Sequence, residues 1–139
     1  MKIPLCKGYL RAAAVVLLSL AALLLGGCEF GNKYTHITPQ EAQAMMDKES
    51  DYVIVDVRTP EEYEKRHVKG AISLPMDDIK QGEVEKTLPD KDQILLLYCW
   101  TGRRSEDSAK LLAQMGYRRV YEFGGLVDWQ GETTVGNEP

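Results

Sequence analysis

The stretch "ILLLYCWTGRRS", from Ile94 to Ser105, decides how this chain must fold. Its first five residues are apolar or aromatic without alternation, which is typical of a strand buried on both faces of a parallel sheet. The stretch continues through a cysteine, Cys99, a glycine and two arginines, after which the pattern becomes helical. The sequence therefore predicts a strand, a short loop and a helix, with the cysteine at the carboxyl end of the strand.

The segments on either side repeat this alternation of strands and helices. Helix starts are indicated where Thr38 and Thr59 are each followed by a proline and, three residues later, a glutamate that can complete a capping box. We predict strands at 51–58, 70–75, 93–99 and 118–123, and helices at 38–48, from 59, weakly within 76–88, at 104–117 and in a short tail within 124–130. Such alternation predicts an α/β fold, an open parallel sheet with helices on both faces.

The first residues of the chain have the composition of a secretory signal. Three basic residues precede an apolar run from Ala12 to Leu25, which falls short of the roughly 20 residues that a spanning helix needs. The "LGGC" sequence ending at Cys28 resembles the lipobox of bacterial lipoproteins, in which the cysteine is lipidated. We therefore expect a lipid anchor at Cys28 in the cell membrane or the outer membrane, with the domain facing the extracytoplasmic side. An ordinary signal peptide with a chance cysteine is the alternative.

The net charge and the number of cysteines limit which partners and which chemistry we expect. The chain has 17 basic and 21 acidic residues, and loss of the three signal bases would leave a net charge of about −7. Such an acidic domain does not favour nucleic acid or anionic lipid as a partner, so the two arginines after Cys99 are expected to have a local role. Cys6 would leave with the signal and Cys28 would carry lipid. Cys99 would then be a lone free thiol in a compartment where cysteines are usually paired.

The loop that follows the predicted central strand is a candidate site. In open α/β sheets, ligands bind outside the carboxyl ends of the strands. Backbone N–H groups of the loop and of the next helix would converge there on an anion, and Gly102 supplies the conformational freedom that a tight loop requires. With Arg103 and Arg104 alongside, this field should lower the pKa of the Cys99 thiol from its usual value of about 8.5. The alternative is a buried core cysteine at the end of an apolar strand.

These residues resemble a known family. "CWTGRRS" resembles the active-site loop of single-domain rhodaneses, Cys-x-x-Gly-x-Arg followed by a small polar residue. The segment from Val55 to Pro75 resembles the family's Asp-x-Arg, Glu-Tyr and His-x-x-Gly-Ala signature, and "GGLVDWQ" resembles its Gly-Gly and tryptophan. We therefore predict a lipoprotein signal peptide at 1–27, the lipidated cysteine and a linker at 28–34, a rhodanese-like domain at 35–133 and a C-terminal tail at 134–139.

The resemblance implies a sulfurtransferase without a metal or an organic cofactor. Cys99 would take sulfane sulfur from a donor such as thiosulfate, a polysulfide or a persulfide, and pass it to cyanide or a thiol. Arg104 would hold the anionic donor. The persulfide would be surrounded by the loop residues Trp100, Thr101, Gly102, Arg103 and Arg104. The implied partners are a small donor anion and a thiol acceptor, with a thiol protein as a further candidate.

One loop residue departs from the family pattern, and three residues outside the loop are interpreted separately. Trp100 stands where thiosulfate-using members often carry a basic residue, which favours a polysulfide, a persulfidated small thiol or a protein thiol as the donor. Asp56 and Arg58 are interpreted as a structural hydrogen-bonded pair near the edge of the sheet. His67 is interpreted as a structural histidine rather than a general base.

Three other functions compete with sulfur transfer. Phosphatases and arsenate reductases of the same scaffold resemble Cys-x5-Arg, whereas four residues separate Cys99 from Arg104 here, so the loop should be too tight for a tetrahedral phosphate. The main alternative is a module at the cell envelope that senses oxidants, holds a persulfide without turnover, or binds another protein. A thioredoxin-type reductase is excluded because the sequence contains no Cys-x-x-Cys pair.

Overall fold

The structure is a computed structural model that describes residues 33–139. The predicted signal peptide, Cys28 and most of the linker lie outside the described residues. None of the helices within 33–139 is long and apolar enough to cross a membrane.

Strands and helices alternate along the described chain. The strands are β1 Thr35–His36, β2 Tyr52–Asp56, β3 His67–Val68, β4 Ala71–Ser73, β5 Ile94–Cys99, β6 Arg119–Gly125 and β7 Thr133–Thr134. The helices are α1 Pro39–Lys48, α2 Pro60–Lys65, α3 Met76–Lys80, α4 Val84–Thr87 and α5 Arg103–Gln114, and a 3-10 turn spans Leu126–Asp128. The main predicted strands and helices are therefore present, with bounds that differ by a few residues.

Five strands form a parallel sheet in the order β1-β6-β5-β2-β4. All six residues of the central strand β5 are buried, as its continuous apolar sequence predicts. On one face, Leu95, Leu97 and Cys99 share a core with residues of α3, α4 and α5, and on the other face alternate β5 residues pack with α1 and α2. The predicted α/β fold, an open parallel sheet with helices on both faces, is confirmed.

The two predicted capping boxes are present and fix where α1 and α2 begin. Thr38 Oγ1 accepts a hydrogen bond from the Glu41 backbone N–H, and the Glu41 carboxylate accepts one from the Thr38 N–H at 2.7 Å. Thr59 and Glu62 repeat the arrangement at distances of 3.3 and 3.1 Å. Because each box satisfies two N–H groups that the first helical turn leaves free, it sets the direction in which the helix leaves its strand.

The sequence did not reveal the strands β1, β3 and β7. Each is two residues long, so no periodicity marks it, and β3 pairs antiparallel with β7 more than sixty residues away. The segment beyond Thr133, predicted as a tail, also contacts the domain, since the Gly136 N–H donates to the Glu64 carbonyl at 2.8 Å. Pairing between distant short segments depends on the folded sheet and leaves no local pattern.

A buried polar network joins the inner strands behind the carboxyl end of β5. Arg58 donates from Nε to Asp56 Oδ1 at 2.9 Å and from Nη2 to Oδ2 at 2.6 Å, and both side chains are almost fully buried. The Tyr98 hydroxyl donates to Asp56 Oδ2 at 2.6 Å and accepts from the Val68 N–H at 3.0 Å. Burial raises the pKa of Tyr98 far above its ordinary value, so the phenol stays a donor. The Asp56 and Arg58 pair thus lies at the end of the inner strand β2 and connects β2, β3 and β5.

Replacing Tyr98 with phenylalanine tests this network. The Tyr98→Phe change leaves the Val68 N–H without its acceptor and removes one donor from Asp56, so we expect the free energy of unfolding in urea to fall by about 1–3 kcal/mol. Tyr121→Phe is the matched control, because Tyr121 lies on the strand β6 and is only partly buried, and it should cost less than about 0.5 kcal/mol. Equal losses for the two variants would contradict the structural role of the Tyr98 hydroxyl.

Candidate active site

The Cys99 sulfur lies inside a loop of converging hydrogen-bond donors. Cys99 is the last residue of β5, and a register shift between β5 and β6 brings it opposite Gly125. The Gly102 N–H donates to Sγ at 3.0 Å, and the Ser105 hydroxyl lies 3.6 Å from the same atom. Cys99 is only 1% exposed. The sulfur is thus bounded by the loop on one side and by the first turn of α5 on the other.

Glycines at two positions allow this geometry. Gly102 has a φ of 103°, in the left-handed region that favours glycine, and a Cβ there would lie 3.3 Å from the Gly124 Cα. A Cβ on Gly125 would lie 2.2 Å from the Trp100 carbonyl oxygen and 2.7 Å from the Thr101 Cα, distances that real atoms do not adopt. The Gly-Gly pair near the end of the chain is therefore required because the loop backbone packs directly on it.

Opposing effects set the ionisation of Cys99. Burial raises the pKa of the thiol, because a thiolate loses hydration, but hydrogen bonds from the Ser105 side chain and from the backbone N–H groups of Ser105, Gly102 and Thr101 outweigh it. The net result is a pKa below the ordinary value for cysteine. Since the thiolate is the nucleophilic form, the loop favours the reactive state of Cys99.

Arg104 is held in place by a carboxylate. Its Nη1 donates to Glu62 Oε2 at 2.7 Å and its Nη2 donates to Glu62 Oε1 at 2.9 Å, which is a bidentate pair. The guanidinium lowers the pKa of Glu62 to about 2. About a third of each side chain is exposed. The arginine that the resemblance assigns to donor binding is thus fixed in orientation, and part of its charge is balanced.

A cavity of about 400 Å³ opens beside the loop and is lined by Arg58, Glu62, Lys65, Arg66 and Trp100. Trp100 is 44% exposed and forms an apolar wall. Lys65 and Arg66 form no ion pair within residues 33–139. The space beside the loop therefore combines unpaired positive charge with one large aromatic surface.

The remaining residues singled out from the sequence occupy other places. Thr101 and Arg103 are exposed on the loop and at the start of α5. His67 is fully buried, its Nδ1 lies 2.8 Å from the Tyr63 carbonyl oxygen, and its Nε2 lies 3.0 Å from the Glu138 carbonyl oxygen. Its ring also stacks on Tyr63 at 3.7 Å. Both ring nitrogens thus face backbone carbonyl oxygens and not the Cys99 sulfur, as expected for a structural histidine.

Three residues of the site are missed or only partly recognised from the sequence. The sequence predicts Glu62 as a capping residue but does not predict its ion pair with Arg104. Ser105 is legible only as a small polar residue after the loop, although its hydroxyl lies beside the sulfur. Glu122 escapes sequence reasoning, although an acidic residue directly between Tyr121 and Phe123 in a strand is a usable signal. Within residues 33–139, no group of three histidine, cysteine or acidic side chains is arranged to hold a metal ion.

Comparison with known proteins gives a consistent result. The family description "Rhodanese-like domain" matches residues 38–132. The thiosulfate sulfurtransferase PspE of Escherichia coli is 40% identical over 74 residues, which are 53% of this chain and 70% of that protein. The thiosulfate sulfurtransferase GlpE of Pseudoalteromonas translucida is 32% identical over 98 residues, which are 70% of this chain and 90% of that protein.

Solved structures are similar as well. A structure titled "rhodanese with anions from E. coli" has a TM-score of 0.57 and 36% identity, and the match covers 61% of this chain and 99% of that one. A rhodanese-like domain protein from Staphylococcus aureus has a TM-score of 0.63 and 28% identity, with coverage of 73% and 97%. The residues matched by the family description include the strand β5, the Cys99 loop and α5.

The ion pair between Glu62 and Arg104 makes the free energy of unfolding depend on pH. Since Glu62 has a lower pKa when folded than when unfolded, the pair stabilises the fold fully above about pH 4.5, and this contribution is lost as the pH falls towards about 2. Glu62→Gln keeps the capping acceptor and should lower the free energy of unfolding at neutral pH by about 0.5–1 kcal/mol, a modest effect because solvent screens the pair. Urea unfolding should show this difference vanish near pH 2. Glu64→Gln, on the same helix, is the control, and a difference independent of pH would refute the linkage.

Proposed function

The chain belongs to the rhodanese-like family, and we propose that it transfers sulfane sulfur through a persulfide on Cys99. The observation that carries the proposal is the position of the Cys99 sulfur at the focus of the Gly102 N–H and the Ser105 hydroxyl, at the carboxyl end of the central strand. The lowered pKa of the thiol supplies the nucleophile without a separate base.

The proposed reaction has two exchanges. The Cys99 thiolate attacks the outer sulfur of the donor, a new S–S bond forms, and the old bond breaks with its electron pair going to the leaving group, which is sulfite when thiosulfate is the donor. Cys99 then carries a persulfide anion, whose negative terminal sulfur faces the same backbone N–H groups. An acceptor thiolate or cyanide attacks that terminal sulfur, takes it, and releases the Cys99 thiolate. The charge is balanced in both steps, and no external oxidant is consumed.

Positive charge beside the loop supports an anionic donor. Lys65 and Arg66 line the adjoining cavity, and Arg104 lies at the end of the loop with its fork already engaged by Glu62. Two relatives are named thiosulfate sulfurtransferases, and one solved relative is described with anions. We propose that Lys65 and Arg66 attract the donor and that Arg104 contributes a fixed, partly balanced charge.

The exposed face of Trp100 supports a donor with an apolar part. An indole wall gives contact area to an organic persulfide or a polysulfide chain but adds no charge for a small, strongly hydrated dianion. We therefore propose that organic persulfides or polysulfides are better donors than thiosulfate.

Phosphoryl chemistry has less support at this site. Only four residues separate Cys99 from Arg104, and Glu62 occupies both ends of the arginine fork that would have to bind a phosphate. Sulfur transfer needs space for one additional sulfur atom, which the N–H groups of the loop can solvate.

We also propose that this chemistry takes place at a membrane surface outside the cytoplasm. The proposal rests on the sequence alone, namely the basic start, the apolar run from Ala12 to Leu25 and the lipobox-like "LGGC" ending at Cys28. A lipid at Cys28 would hold the domain close to the bilayer, and the short segment 29–34 would serve as the tether.

Persulfide formation can be measured by intact mass. Residues 29–139 incubated with thiosulfate or with an organic persulfide should gain the mass of one sulfur atom, and a reductant should reverse the gain because a persulfide is a reducible S–S bond. Cys99→Ser is the control and should gain nothing. Loading without release to any acceptor would favour a persulfide-holding sensor, and the absence of loading would refute the proposed function.

The donor preference can be shifted at Trp100. Trp100→Arg adds a positive charge beside the sulfur, worth about 1 kcal/mol for an anion near the surface, so the ratio of kcat/KM for thiosulfate to that for an organic persulfide should rise about five-fold. Trp100→Phe, which keeps an apolar ring, should leave the ratio near that of the unaltered protein. An unchanged ratio in Trp100→Arg would exclude this residue as a determinant of donor choice.

A further inference from the structure

Glu122 is a buried carboxylate directly behind the Cys99 loop. It is only 2% exposed and lies in the strand β6. Its Oε1 accepts from the Gly124 N–H at 2.6 Å and from the Ser105 hydroxyl at 2.7 Å, and its Oε2 lies 2.7 Å from His36 Nδ1. Burying a carboxylate is costly unless it is well hydrogen-bonded, and here all three partners surround one acid. The sulfur-transfer scheme above assigns no role to this acid.

The Ser105 hydroxyl connects Glu122 to the nucleophile. Its oxygen lies 2.7 Å from Glu122 Oε1 and 3.6 Å from Cys99 Sγ, with the Gly102 carbonyl oxygen at 2.9 Å. A hydroxyl has a single hydrogen to donate. The carboxylate is closer than the sulfur, and a charge-assisted hydrogen bond is the stronger kind. The Glu122 carboxylate and the Cys99 sulfur therefore compete for the same hydrogen, together with the carbonyl oxygens of Gly102 and of Gly124, which lies 3.3 Å away.

We propose that Glu122 is a positioning residue that draws the Ser105 hydroxyl hydrogen away from Cys99 and so restrains the nucleophile, and that the hydrogen bond from His36 relaxes this restraint. The inference rests on the proposed function in one respect, that Cys99 is the reacting thiol. It assigns two groups, one buried and one at the surface, to the control of that thiol.

His36 is placed to act on Glu122 from the solvent side. It is 68% exposed, and its Nδ1 donates to Glu122 Oε2 at 2.7 Å, because a carboxylate oxygen can only accept. This hydrogen bond takes up part of the negative charge that would otherwise act on the Ser105 hydroxyl. Loss of the hydrogen bond from His36 should therefore strengthen the restraint on Cys99.

The test measures the reactivity of Cys99 without any sulfur donor. Alkylation of the full chain by iodoacetamide is followed from about pH 5 to 9, and the Cys99 peptide is quantified by mass. Glu122→Gln keeps the size of the side chain and removes its charge, so alkylation near pH 6 should be about five- to ten-fold faster. His36→Ala removes the hydrogen bond that relaxes the restraint, so alkylation near pH 6 should be about two- to three-fold slower.

A double-mutant cycle separates the hydroxyl route from a simple charge effect. If Ser105 carries the influence, Glu122→Gln made on top of Ser105→Ala should change the alkylation rate by less than about two-fold. Asp107→Asn removes an equal charge from the exposed face of α5 and should leave the rate within about two-fold of the unaltered protein. The proposal is overturned if Glu122→Gln brings no gain, or if its gain is undiminished in the Ser105→Ala background.

The experiment distinguishes a failure of this proposal from a variant that does not fold and from a failure of the proposed function. Circular dichroism verifies each variant, and if Glu122→Gln does not fold, the alkylation rate of His36→Ala decides alone, because His36 is exposed and its replacement should not disturb the core. A rate equal to that of the unaltered protein at every pH would then overturn the proposal. Because alkylation needs no donor or acceptor, a protein that fails to load sulfur would still reveal whether Glu122 restrains the thiol.

Discussion

The close approach of the Cys99 loop to the end of β6 is the constraint on which the site depends. A Cβ on Gly125 would overlap the Trp100 carbonyl oxygen, so the loop can lie against the strand only because that residue has no side chain. This contact holds the loop tightly wound and brings the Gly102 N–H to 3.0 Å from the sulfur. The strand β5 supplies the other half of the constraint, because its burial on both faces fixes where Cys99 ends. Hydrogen-bond donors therefore converge on the Cys99 sulfur because of the way the backbone packs, and not because of charged side chains.

The same packing creates an electrostatic conflict that the surrounding side chains moderate. A sulfur buried in this way should have a raised pKa, and the hydrogen bonds of Ser105 and the loop reverse the shift. Arg104 contributes positive charge, but Glu62 fixes it in a bidentate pair, which keeps the guanidinium from collapsing onto the thiolate. Glu122 places a negative charge on the far side of Ser105. The reactivity of Cys99 therefore reflects a balance between backbone donors that favour the thiolate and two carboxylates that temper their effect.

The sequence revealed those parts of the structure that depend on local chemistry. The apolar run of β5 predicted a central buried strand, and the threonine, proline and glutamate spacing predicted where α1 and α2 begin, because burial and capping leave short-range patterns. The pairing of β3 with β7 joins residues more than sixty positions apart, and no pattern within either two-residue strand announces it. Glu62 illustrates the same limit at the site. Its capping role was predicted from its spacing to Thr59. Its ion pair with Arg104, 42 residues away, forms only because the fold brings α2 beside the loop.

The distribution of charge over the surface affects which anions can approach the site. The chain as a whole is acidic, with a net charge of −4, so small anions are repelled from most of its surface. Lys65 and Arg66 interrupt that field at the cavity beside the loop, where they share the lining with the exposed ring of Trp100. An anion is attracted by the two cations only at short range, since salt screens them beyond about 8–10 Å. Under the proposed function, the indole would discriminate among donors by contact area within that range. Selectivity would then arise from an apolar surface acting on anions that a local positive field has already brought close.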